Sequence, residues 1–212
     1  MSGPEPRDVA VPFERLAGWI DRYEVRHADT TWSYGPDQVT ASSADGSSAS
    51  IEVPFPPLRD LSRDGLTTHV ARPWRIGVVI VRKGGFAVAR AVGAEVVAVK
   101  IGQRHVQSRS KAGGWSQQRF ARRRDNQAQA AYDAASGHVH EILLPHVRDL
   151  DLLATAGDRA AVDAVFAFRG LTPLLAAPQR WIPGVADPRR AVLNQVITSV
   201  RSAQVTVVDT TR

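Results

Sequence analysis

The residues best suited to chemistry lie in one polar stretch near the middle of the chain, KAGGWSQQRFARRRDN. Its loop residues of interest are Gly113, Gly114, Ser116, Gln117 and Gln118. Adjacent glycines let a backbone adopt unusual torsion angles and approach another molecule closely. Ser116 is a good helix cap, because its side chain can accept hydrogen bonds from N–H groups of the first turn, worth about 1 kcal/mol. The glutamines are therefore predicted where a loop meets a helix.

Positive charge surrounds this junction, since no acidic residue occurs between Glu95 and Asp125. The cations that we expect to contact RNA are Arg109, Lys111, Arg119, Arg122 and Arg123. Arginine and lysine bind phosphate oxygens and thereby set the register of a protein on nucleic acid. A glycine tip followed by a cationic helix suits reaching into RNA. The same composition also fits a plain surface loop before a solvated helix, and the residues themselves leave both readings open.

Composition limits the classes of protein. The chain has 212 residues, 43% hydrophobic content and a net charge of +6, so it can build a core and favours an anionic partner. It has no cysteine, which excludes disulfides, thiolate metal sites and a cysteine nucleophile. His138, His140 and His146 have no matching carboxylate spacing, so we expect no metal and no other cofactor. Without an 18-residue apolar run or a signal peptide, the chain is predicted to be a soluble, cytoplasmic monomer with no membrane contact.

Three valine-rich runs precede the loop, at residues 75–82, 86–92 and 95–101. The turns between them are too short for parallel pairing, which needs a crossover of about a dozen residues. They predict an antiparallel meander whose third strand leads directly into the loop. After the loop, apolar residues recur at helical spacing as far as about Pro145, with Gly137 as a point where the helix bends or breaks.

The other elements predict two domains. Residues 1–72 read as a small α+β unit: a loose arm to residue 12, a helix at 13–25, short strands around an Asp45-Gly46 hairpin turn, and a polar connection over 58–72. Residues 73–212 add strands at 150–156, 180–182 and 204–208, and helices at 158–168 and 187–203. This order predicts an α/β (α+β) domain in which helices cover a mixed sheet that begins with the meander.

These residues carry a family resemblance. The meander, the loop and the long helix resemble the catalytic domain of eukaryotic-type peptide release factors, which has a ribonuclease H-like fold. The segments KAGGWSQQRFARRRDN, LATAGDRAAVDAVFAF and WIPGVADP are similar to the Vms-like release factors, the VLRF family, in their actinobacterial branch. The resemblance spans about residues 75–209. Release factors proper carry Gly-Gly-Gln, whereas Trp115 and Ser116 intervene here. The spacing from Gly114 favours Gln117 as the positioned glutamine, with Gln118 as the alternative.

The resemblance implies a function. Such a protein is a peptidyl-tRNA hydrolase that acts on the ribosomal large subunit, with Gln117 as the catalytic residue and the loop glycines close to RNA. Because no segment resembles a codon-reading domain, rescue of stalled ribosomes is favoured over termination at stop codons. The competing class is a non-catalytic ribosome- or RNA-binding module of the same fold. A metal-dependent nuclease is disfavoured, since the meander offers only Glu95 as a carboxylate.

Overall fold

The computed structural model describes residues 5–83, 85–103 and 115–210, with the backbone alone for Gln103 and for residues 115–127. The strands are β1 (Arg7–Pro12), β2 (Thr31–Tyr34), β3 (Gln38–Ser42), β4 (Ser48–Glu52), β5 (Arg75–Arg82), β6 (Gly85–Val92), β7 (Glu95–Gln103), β8 (Leu152–Gly157), β9 (Gln179–Ile182) and β10 (Ser202–Val208). The helices are α1 (Phe13–Arg26), α2 (Arg63–Ala71), α3 (Trp115–Ile142), α4 (Arg159–Phe166) and α5 (Arg190–Val200). Within the described ranges, no helix is both long and apolar enough to cross a membrane.

The chain forms two compact units, one of Met1–Pro73 with Thr198–Arg212 and one of Trp74–Ile197. In the first unit an antiparallel sheet has the order β1-β10-β4-β3-β2. Helix α1 buries Phe13, Leu16, Ile20 and Tyr23, which recur every three or four residues and so form one apolar face. The predicted hairpin joins β3 to β4, with Gly46 at a φ of +82° in its turn.

The hairpin turn is tied to the end of α1. His27, which is buried, has its Nδ1 atom 2.8 Å from Oδ2 of Asp45, and the backbone N–H of Ser47 donates to Oδ1 of the same carboxylate at 2.8 Å. The contact with His27, followed by that N–H, lowers the pKa of Asp45 below its ordinary value. The carboxylate therefore stays ionised in the turn that it holds.

Three sequence predictions for this unit are wrong. The loose arm is in part a strand, because Arg7–Pro12 pairs with β10 from the far end of the chain. The polar connection over residues 58–72 contains α2, which Ser62 caps by accepting from the N–H of Gly65 at 2.9 Å. The last strand, assigned to the domain of residues 73–212, lies instead between β1 and β4. A partner strand almost 200 residues away leaves no signal in local periodicity.

The second unit has a mixed sheet of order β7-β6-β5-β8-β9. The meander β5-β6-β7 is antiparallel, as predicted, whereas β8 pairs in parallel with β5 and β9 in parallel with β8. Strands β5, β7, β8 and β9 therefore all end at the same edge of the sheet, here called the carboxyl edge. The α+β fold with a mixed sheet that begins at the meander is confirmed. The predicted helix at 187–203 is shorter, since α5 spans Arg190–Val200.

Candidate functional site

The carboxyl edge is where the chain leaves the sheet toward the candidate loop. Gln103, the last residue of β7, pairs with Gly85, and Gly85 also pairs with Arg82 at the end of β5. Residues 104–114 therefore connect this edge to the start of α3. The third strand of the meander therefore ends directly before residues 104–114, and the loop predicted there lies outside the described residues.

Helix α3 is held by its C-terminal half. Ala131, Ala135 and Val139 are buried, and Leu143 directly after the helix has no exposed surface. Ala135, Val139 and Leu143 pack in one hydrophobic core with residues of β5, β6, β8 and α4. The hydroxyl of Ser136 also donates to the carbonyl of Val165 at 3.2 Å, which ties α3 to α4. These contacts determine the orientation of the whole helix.

The helix reaches the carboxyl edge near His138, whose ring lies 5.5 Å from that of Phe86, the second residue of β6 at this edge. Burial, and then the negative charge of Asp158, raise the pKa of the Tyr132 hydroxyl, roughly one and a half helix turns further toward the N-terminus. At the other end, Leu143 lies 3.3 Å from the position of a Cβ on Gly77, near the start of β5. The backbone of α3 continues from Ala131 back to Trp115, a rise of about 24 Å at roughly 1.5 Å per residue. Its N-terminal half therefore extends beyond the sheet.

The predicted site residues fall into two groups. Arg109, Lys111, Gly113 and Gly114 lie outside the described residues. The other predicted residues all fall in the first turns of α3, where the backbone alone is described: Ser116, Gln117, Gln118, Arg119, Arg122 and Arg123. The helix begins at Trp115, so Ser116 is its second residue and not the residue before it, as the prediction of a cap required.

The C-terminal part of α3 corrects the prediction of a helix break at Gly137 and agrees with the expectation that His138 packs or lies at the surface. Gly137 does not break the helix, which runs through it to Ile142. The ring of His138 packs on Phe86, 5.5 Å between centroids, and its Nδ1 lies 3.2 Å from the carboxylate of Glu141. This histidine is a packing residue, as expected. In the described part of the chain, no three His, Asp or Glu side chains form a group that could hold a metal ion.

Sequence reasoning missed how the carboxyl edge is built. Arg82 at the end of β5 donates to the carbonyl of Val185 at 2.8 Å and lies 3.5 Å from Asp187, so it holds the segment after β9. Gly157 at the end of β8 has a φ of +102°. The next N–H, from Asp158, donates to the carbonyl of Val81 at 2.8 Å. In the sequence, Arg82 could have been recognised as a functional candidate because it is a charged residue at the end of an otherwise apolar run.

The second unit is thus a mixed sheet that begins with a meander and is followed by a long helix, the order that the sequence resemblance to release factors predicted. The chain belongs to the family of the Actinobacteria/chloroflexi VLRF1 release factor, whose family model matches residues 74–206. Its function is therefore that of a release-factor-like protein in translation, which works with the ribosome.

A solved structure agrees with this fold. The chain is similar to the "Vms1 mitochondrial localization core", with a TM-score of 0.50 and 13% identity over 79% of this chain and 75% of that one. At this identity the likeness shows a shared fold alone. An archaeal translation termination factor, aRF1, also matches, with a TM-score of 0.33 and 15% identity over 94% of this chain and 67% of that one. Among curated proteins, no match was found.

Proposed function

We propose that this protein is a peptidyl-tRNA hydrolase that frees nascent peptides from tRNA on stalled ribosomal large subunits in the cytoplasm, without reading a codon. The observation that carries the proposal is the position of the start of α3, whose first three residues are Trp115, Ser116 and Gln117. Among the residues whose burial is described, this helix is anchored only at its far half. A helix start that extends beyond the sheet in this way suits entry into a narrow, RNA-lined centre.

The start of the helix supports Gln117 as the catalytic residue. The first four N–H groups of an α-helix have no partner within the helix, and Gln117 is the third residue of α3. The helix dipole adds partial positive charge at this end. Preorganised N–H donors stabilise the negative charge that develops on oxygen when water attacks an ester carbonyl. The backbone N–H of Gln117 can serve as such a donor.

The other residues of the site then have supporting roles. The side-chain amide of Gln117 shapes a space for water without acting as an acid or a base. Gly113 and Gly114 allow close approach to RNA because they lack a Cβ atom. Positive side chains hold tRNA or ribosomal RNA through phosphate contacts, and we assign this role to Arg109, Lys111, Arg119, Arg122 and Arg123. The scheme uses no metal and no other cofactor.

A second candidate function is binding without catalysis. The net charge of +6 and the arginines of α3 would serve a ribosome-binding module equally well. The two candidates differ in what Gln117 does, because a module that only binds does not need a positioned glutamine.

The test is the variant Gln117→Ala. We expect it to lose release of labelled peptide from peptidyl-tRNA on stalled large subunits in a single-turnover assay. The melting curve and co-sedimentation with the subunit should stay as in the wild type, which separates a loss of catalysis from unfolding and from a loss of binding.

Gln118→Ala is the matched control, one position along the same helix turn, and should keep most of the activity. Activity lost in Gln118→Ala and kept in Gln117→Ala would move the catalytic role to Gln118. Full activity in both variants and in the double variant would leave binding as the function.

A further inference from the structure

A groove lies between α4 and strand β9 in the second unit, away from the predicted loop residues in sequence. It has a volume of about 530 Å³, which is in the range of sites that bind small molecules. Its polar lining includes Arg159, Asp163, Gln179 and Thr155, and its apolar lining includes Val162 and Phe166. Trp181 closes one side. Strand β9 pairs with β8 alone among the described strands, so the groove opens at the edge of the sheet.

Two flat side chains meet in this groove. The guanidinium carbon of Arg159 lies 4.4 Å from the centroid of the Trp181 ring. Arg159 is solvent-exposed, while Trp181 is half-buried and packs against the hydrophobic core of the unit. The two residues come from different elements, the first turn of α4 and the third residue of β9. The hydrophobic core fixes the ring of Trp181, and this ring in turn orients the guanidinium group of Arg159.

The chemistry of this lining fits an unpaired RNA base. Bases released from a helix stack on aromatic rings and on arginine guanidinium planes, and their edges then hydrogen-bond to nearby polar side chains. Thr155, Asp163 and Gln179 supply such polar groups beside the stacking plane. The exposed Arg169, three residues after the end of α4, adds positive charge to this unit for phosphate contacts. A peptide partner would have no need of a cationic plane at the mouth of the groove.

We propose that this groove, here called the Arg159–Trp181 groove, binds one unpaired base of single-stranded RNA. It would be a second RNA contact, built from residues other than those of the candidate loop and the start of α3. The proposal goes beyond peptide release and holds whether or not Gln117 is catalytic. Stacking of one base on such a surface changes affinity by roughly 5- to 150-fold, the range measured for alanine substitutions at base-stacking residues.

The test uses the full chain and two fluorescein-labelled RNA strands of equal length, octaadenylate and an abasic strand with the same phosphates. Fluorescence anisotropy should show that the wild-type chain binds octaadenylate at least about five-fold more tightly than the abasic strand. Arg159→Lys keeps the charge and loses the plane, so it should remove this preference and leave binding of the abasic strand unchanged. Trp181→Leu should have the same effect.

Arg169→Ala is the matched control, because Arg169 is an exposed arginine of the same unit that does not line the groove. It should weaken binding of both strands by the same factor. The proposal is overturned if the wild-type chain has no preference for bases, if Arg159→Lys keeps the preference, or if Arg169→Ala removes it. Arg159 is exposed, so its variants decide the matter even if Trp181→Leu does not fold. Gln117→Ala should keep the base preference, which separates a failure here from a failure of the hydrolase proposal.

Discussion

Gly157 shows how one residue limits the geometry of the carboxyl edge. Its φ of +102° lies in the left-handed region that favours glycine, and a Cβ placed on it would lie 2.2 Å from the carbonyl oxygen of Val81. Strand β8 and helix α4 meet at this residue, and Asp158 after it caps α4 by accepting from the N–H of Ala160 at 3.1 Å. Glycine is required here for two separate reasons, backbone torsion and lack of space.

These two reasons can be measured separately. Gly170 also has a positive φ, +95°, but a Cβ on it would meet nothing within 4 Å. We expect Gly170→Ala to lower the free energy of unfolding by about 1–3 kcal/mol, the cost of a strained torsion. Gly157→Ala should cost a further amount of about 1–3 kcal/mol, because the neighbouring strand must move. Urea denaturation of the two variants checks the difference, and equal losses would show that the backbone of β5 yields to the added methyl group.

At the scale of the element, α3 connects a buried anchor to a segment that extends from the sheet. Gly137 sits within the anchored half, exposed and with open space around it. A glycine inside a helix costs roughly 0.5–1 kcal/mol relative to alanine, since the unfolded chain has more freedom to lose. We expect Gly137→Ala to raise the free energy of unfolding by about this amount.

Ala134→Gly offers the matched reverse change, because Ala134 is also an exposed residue of α3. It should lower the free energy of unfolding by a similar amount in the same urea titration. A loss of stability in Gly137→Ala would mean that the helix uses the glycine for a bend in solution.

At the scale of the whole molecule, the two ends of the chain belong to one sheet. Strand β10 lies between β1 and β4, and its Ala203, Val205 and Val207 are buried. A chain that stops after Arg201 lacks the strand that joins β1 to β4 and removes the one partner that β1 has among the described strands. We expect amide hydrogen exchange to lose protection in β3 and β4, while β5, β6 and β8 of the second unit keep theirs.

A chain that stops after Thr210 is the control, because it retains all of β10 together with the contacts of Asp209 to Arg26 and of Thr210 to Ser47, and it should keep protection in both sheets. Persistent protection of β4 in the shorter chain would show that the hairpin β3–β4 is stable without β10. The free energy of unfolding of a domain is only about 5–15 kcal/mol. We therefore expect the loss of β10 to destabilise the first sheet by more than this free energy, so that the sheet unfolds.

The sequence by itself determined the elements whose partners are near in the chain. Helix α1 and the meander followed from periodicity and from turns too short to allow another pairing. The candidate loop was predicted from the same kind of local signal, because glycines, glutamines and a run of arginines are adjacent in the sequence, and it stays a prediction since residues 104–114 lie outside the described ranges. The family resemblance rested on these local motifs, and the match over residues 74–206 agrees with it.

Only the tertiary structure decided what depends on distant pairing. A run such as QVTVV has the pattern of a strand in any sheet, and nothing in it shows that Val207 pairs with Arg7. Arg159 and Trp181 are 4.4 Å apart because β8 and β9 pair in a register that sets Thr155 opposite Trp181. Side-chain types follow from the sequence, but which of them share a groove depends on strand order and register, and those are settled by burial of the whole core.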